Sequence, residues 1–162
     1  MLLDAVQDKI LRIAGMSKLE ALNAAHLAPL SVRRDIAMLG MIHRAAIGRG
    51  PEQFRARFLA DMDARREGEG NHRLTLMLLQ IHDSDFALPR SALANYIEHS
   101  AYGLIGVYNM LPASIVEASP TVRDFQRALQ SLVKHRANAG CTDWEMTLSP
   151  RIPLYRHALR HL

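Results

Sequence analysis

The sequence predicts a mainly α-helical single domain, an irregular compact bundle of six to eight helices. Three observations predict it. Apolar residues recur at three- and four-residue spacing along most of the chain. The breaks between those runs fall at glycine, proline and serine, which cap and stop helices. Hydrophobic residues make up 49% and charged residues 22% of 162, enough for one ordinary core and far from a disordered composition.

The first helix places Leu3, Val6, Ile10 and Ile13 on one face, expected to be its buried side, with Lys9 and Arg12 opposite. Gly15 ends it. Ser17-Lys18-Leu19-Glu20 is a capping-box pattern that opens a short second helix to about His26, and Pro29 breaks the chain. A third helix starts near Ser31. Val32, Ile36, Leu39, His43 and Ile47 form its stripe, and Met38, Met41 and Ile42 add a second apolar side, which predicts burial on most faces. Arg33, Arg34 and Arg44 are the exceptions. Gly48 and Gly50 end it, and Pro51 suits the first turn of a fourth helix over about Pro51 to Arg66, with a thin Phe54, Phe58, Met62 stripe.

Residues 72–82 fit a helix or a short extended segment equally well. "DSDFALPR" then reads as a loop. Ser91 to Met110 predicts a long helix with Glu98 as its only formal charge, hence a central buried element. Pro112 stops it. Ser119-Pro120 supplies a cap and a first-turn proline for a helix whose Val122, Phe125, Leu129, Leu132 and Val133 share a face, closed by Gly140. Residues 1–148 are read as the helical domain and 149–162 as a basic tail containing prolines.

Composition bounds the function. MLLDAVQDK carries Asp4 and Asp8 where a signal peptide needs an apolar core, which predicts an intracellular chain, in cytoplasm or nucleus. The longest uncharged run, residues 100–116, is too short and interrupted to span a bilayer, so no membrane partner is expected. The single Cys141 excludes an internal disulfide. The formal charge is +4 with a pI near 9.6, and Lys9, Lys18 and Lys134 are the only lysines among 20 basic side chains. Arginine is the better bidentate phosphate ligand; a GC-rich coding bias gives the same excess.

The chemistry-bearing residues are sparse. Asp61 and Asp63 diverge on a helix, about 200° apart, so a solvated Arg/Asp face fits them better than a metal pair. His157 and His161 have zincin spacing but arginine neighbours and no third ligand. Cys141 has no second cysteine, and His135 lies six residues before it. His43 sits on an apolar stripe and is expected to bond a backbone carbonyl. With no phosphate loop, dinucleotide fingerprint or nucleophile elbow, no catalytic residue, metal or cofactor is expected. The arginines remain. Arg33, Arg34, Arg44, Arg49, Arg55 and Arg57 cluster, and Arg136 adds to them; packed side by side, the third and fourth helices would join most of them into a surface for RNA, DNA or an RNA–DNA hybrid. Solvated faces and internal ion pairs are the alternative.

Three segments carry a family resemblance. LDAVQDKILRIAGM resembles the L-x-x-V-Q-x-x-x-L-R-x-I-x-G segment that follows the polymerase core in non-LTR (LINE, jockey-type) retrotransposon reverse transcriptases. LAPLSVRRDIAMLGMIHRAAIGRGP is similar to their P-L-x-x-R-R segment. VYNMLPASIVEASPTVRDFQRAL resembles their W-N-x-L-P-x-x-V-x-x-x-x-S-V-x-x-F-x-x-x-L stretch, with Tyr108 in place of Trp. They come in the family's order over roughly residues 3 to 136, and Tyr108, Asn109, Leu111, Pro112, Phe125 and Leu129 carry the last motif. The palm aspartates that would hold two metal ions have no counterpart, since the chain contains no Asp-Asp. The resemblance therefore implies the helical region after the palm, a fragment without polymerase catalysis, with an upstream polymerase domain as its protein partner; self-association with a second copy belongs to the competing reading. The competing reading is a helical protein-interaction module, or a pseudogene product without function.

Overall fold

The computed structural model describes residues 2–50, 58–60, 74–76 and 103–161. The mainly α-helical class is what it shows. Six α-helices occur among the described residues: α1 (Leu2–Ile13), α2 (Lys18–Ala25), α3 (Leu30–Ala46), α4 (Gly103–Asn109), α5 (Ala113–Val116) and α6 (Val122–Asn138). Three 3₁₀ turns follow, Trp144–Met146, Leu154–Arg156 and Ala158–His161. Two short strands, β1 (Phe58–Ala60) and β2 (Leu74–Leu76), pair antiparallel with Leu59 opposite Thr75.

The pair corrects one expectation and decides another. Phe58–Ala60 is extended, so no continuous helix runs from Pro51 to Arg66; a thin apolar stripe leaves a helix little to bury, and backbone pairing with 74–76 replaces it. The ambiguous 72–82 segment is extended at Leu74–Leu76. The rest of both segments, and the start of the predicted Ser91–Met110 helix, lie outside the described residues. The described end of that helix, α4, is buried as expected, with Leu104, Val107 and Tyr108 fully enclosed.

The core lies between α3, α4 and α6. Val32, Ile36, Leu39 and Ile42 of α3 meet Leu104, Val107 and Tyr108 of α4 and Phe125, Leu129, Val133 and Ala137 of α6. At the crossing of α3 and α6 a Cβ on Gly40 would stand 2.5 Å from the Gln126 Nε2, so glycine leaves room there for the Gln126 side chain. Ser17 and Glu20 form the reciprocal capping box: Glu20 N–H donates to Ser17 Oγ at 3.2 Å, and Ser17 N–H donates to Glu20 Oε2 at 2.7 Å. α1 and α6 end alike. Gly15 (φ 66°) and Gly140 (φ 76°) turn left-handed, and the N–H groups of Met16 and Cys141 reach back to Leu11 and Arg136 carbonyls.

Two helices differ from their sequence reading. α1 is rotated. Among its described side chains Gln7 and Leu11 are buried, while Val6, Ile10 and Ile13 are 54%, 59% and 78% exposed. The cause is the corner before α3. Pro29 offers no side-chain cap, so Asp4 Oδ1 accepts the Ser31 N–H at 3.1 Å, and Gln7 Nε2 donates to the Ala28 carbonyl at 3.2 Å. Buried backbone groups need partners, and α1 turns its polar side inward to supply them. α3 is buried on one side only: Arg33, Arg34, Ala37, Met41 and Arg44 line an exposed arc, and the apolar Met41 is among them.

The start of α6 is also corrected. Thr121, not Ser119, is its N-cap: Thr121 Oγ1 accepts the Asp124 N–H at 3.2 Å and donates to Asp124 Oδ2 at 2.6 Å. Ser119 precedes proline, which restricts its backbone, and its hydroxyl donates to the Ile115 carbonyl instead. The end of the chain folds back on the core. Leu148 and Leu159 are buried, and the His157 Nε2–H donates to the Ser149 carbonyl at 3.2 Å while Nδ1 accepts the Leu159 N–H at 3.4 Å.

Candidate nucleic-acid interface

Arg33, Arg34 and Arg44 stand on the exposed arc of α3, and Arg49 is exposed just beyond its C-terminus. Arg33 and Arg44 are eleven residues apart, which returns a helix to within about 20° of the same direction. Arg44 Nε donates to the Arg49 carbonyl at 3.0 Å, which closes the α3 terminus and leaves the two end nitrogens of the guanidinium for another acceptor. Arg34 lies 3.7 Å from Asp35. No acidic side chain stands on that arc, because Asp35 points inward.

Arg136 goes elsewhere. It is mostly buried, and its Nη2 donates to Asp143 Oδ1 at 3.2 Å. Arg55 and Arg57 lie outside the described residues, as do Asp61 and Asp63. The helix that joins α3 at its basic edge is α6. Arg123, Arg127, Gln130 and Lys134, spaced by four, three and four, form a stripe beside its buried Phe125, Leu129, Val133 face. The sequence reading missed Arg123 and Arg127, although the spacing that reveals the buried face also places them next to it.

Between α2, α3 and α6 a groove of about 300 Å³ opens. Leu22, Ala28, Val32, Ile36 and Val133 make its floor. His26, Arg33, Arg127, Gln130, Ser131 and Lys134 make its rim.

The motif residues form a buried knot. His43, Tyr108 and Phe125 are fully enclosed. The His43 ring stacks on Phe125 with centroids 4.1 Å apart and planes 8° from parallel. His43 Nε2 lies 2.9 Å from the Ser119 carbonyl, which only accepts, so Nε2 carries the proton. Nδ1 is then the acceptor for the Tyr108 hydroxyl at 3.0 Å. Tyr108 is thus fully enclosed and uses its hydroxyl deep in the core. Burial pushes the His43 and His157 pKa values down and the Tyr108 pKa up. Asn109, Leu111 and Pro112 turn the chain from α4 into α5. This knot joins α3, α4 and α6 and offers no open face for a reactant.

Asp35 is the other buried charge. Desolvation raises its pKa to about 6, against the pull of Arg34 and Arg151 and with a push from Asp4. It is not among the groove residues. Among the described residues no group of His, Cys, Asp and Glu is placed to hold a metal ion, and no helix is long and apolar enough to cross a membrane. Cys141 is half-buried against the core and His135 is exposed. Comparison with family models, curated proteins and solved structures finds no match to this chain.

Proposed function

We propose that the chain is a non-catalytic piece of a non-LTR retrotransposon reverse transcriptase that holds RNA or DNA by its phosphate backbone, without reading sequence. The ordered resemblance of three segments supports the first part. The observation that carries the second is the exposed edge of Arg33, Arg34, Arg44 and Arg49, whose acidic neighbour Asp35 is buried beneath Arg34, flanked across the helix seam by the α6 stripe. Four phosphate contacts give a salt slope of about −2.8 to −3.6, so affinity for a labelled RNA–DNA hybrid should fall roughly 50- to 150-fold between 50 and 200 mM salt. Arg33→Glu with Arg44→Glu should remove most of the binding at low salt. A flat titration at 50 mM, or an affinity indifferent to salt, rejects the reading.

A second reading has its own observation, the exposed Val6, Ile10 and Ile13 face of α1. In it the chain is an interaction module that packs against a second copy. Sedimentation should then show a mass rising with concentration, and Ile10→Asp should hold it at one chain. A mass constant from micromolar to near-millimolar concentration excludes it.

A further inference from the structure

We infer that the groove between α2, α3 and α6 binds a small amphiphilic anion, an alkyl chain of medium length ending in a carboxylate. The inference shares Arg33 with the proposed nucleic-acid edge but does not require nucleic-acid binding, and it rests on three features of the groove.

The floor is aliphatic. Leu22, Val32, Ile36 and Val133 present branched side chains and no aromatic ring, so a flexible hydrocarbon suits it better than a flat base. The rim is cationic: Arg33, Arg127 and Lys134 line it, and no carboxylate does. Finally, the cations are available. Arg127 shares only a long, exposed contact of 3.4 Å with Asp124. Among the described residues, Arg33 and Lys134 have no ion-pair partner.

Arg33 and Lys134 come from two helices, α3 and α6, so a carboxylate between them gains two charge-assisted contacts without entering the core. The volume, about 300 Å³, lies at the small end of ligand pockets and suits a short chain rather than a lipid. Inorganic phosphate would use the rim and waste the floor. An uncharged alcohol would do the reverse.

The test uses the full chain and three probes kept below their aggregation concentrations: octanoate, octanol and inorganic phosphate. Calorimetry or amide chemical shifts should show saturable octanoate binding at least tenfold tighter than either of the others. Arg33→Gln with Lys134→Gln should weaken octanoate at least tenfold and leave octanol unchanged. Ser131→Trp, at an exposed position on the rim, should fill the groove and remove octanoate binding while the thermal midpoint stays put. Equal binding of octanoate and octanol overturns the inference. So does phosphate binding as tightly as octanoate, or octanoate binding that survives Ser131→Trp. None of these outcomes touches the salt series on the hybrid.

Discussion

Phe125→Ala should lower the unfolding free energy by about 3–5 kcal/mol, the range for removing an enclosed aromatic ring. Phe125 is fully buried at the centre of the core, and it is also the surface on which His43 stacks. Its loss opens a cavity and removes the face that holds the imidazole in place. A stacked ring pair adds about 0.5–1.5 kcal/mol beyond area burial, so a double-mutant cycle with His43→Leu should return a coupling of that size. Tyr108→Phe tests the same knot without a cavity. It strips the donor from His43 Nδ1, and a buried acceptor left bare costs about 1–3 kcal/mol. Urea unfolding followed by circular dichroism measures all three. A Phe125→Ala variant within about 1 kcal/mol of the parent would mean the ring is not enclosed.

Asp35→Asn should act in the opposite direction, and only at the upper end of the pH range. The unfolded carboxyl ionises through its ordinary value near 3.8; the folded one stays protonated to about 6. The folded state therefore holds a proton that the unfolded state has released. This contribution to stability is complete below pH 3.8, declines as pH rises, and is gone above 6. The shift of about two units, already net of the pull of Arg34 and Arg151, corresponds to at most roughly 3 kcal/mol. Asparagine has nearly the same shape and no charge to bury. At pH 7.5 the variant should melt several degrees higher than the parent, on the scale of about 2–4 °C per kcal/mol for a chain of this size. At pH 4 the two should coincide. A variant that is less stable at pH 7.5 would show that the pairing with Arg34 outweighs the burial.

The parts of the fold that are set locally are legible in the sequence. Ser17 and Glu20 announce the α2 cap, Gly15 and Gly140 mark helix ends, and the Phe125, Leu129, Val133 spacing gives the α6 face, because each depends on residues within a turn or two. His43 is legible as a core histidine on a carbonyl because the apolar stripe it shares faces inward. The failures share a cause: a distant backbone group decided the outcome. α1 shows an apolar stripe that the fold leaves outside, because the Ala28–Ser31 corner needed Asp4 and Gln7. Ser119 looked like a cap, but Thr121 with Asp124 three residues on has the same signature, and proline decided between them. The candidate surface was half legible. The α3 arginines could be listed from the sequence, but their neighbours could not, since only the packing brings α6 to their side.

The His43 knot has a consequence in time as well as in energy. Its two hydrogen bonds join residues 65 and 76 positions apart, and the core they anchor draws on both ends of the chain. Helical proteins fold fast when their contacts are local. Here α3 has little to bury until α4 and α6 arrive, so the entropy of closing a long loop must be met before the core rewards it. The chain should fold more slowly than a helical bundle of its size, and a nascent chain released before α6 has left the ribosome would expose the α3 stripe to whatever is nearby.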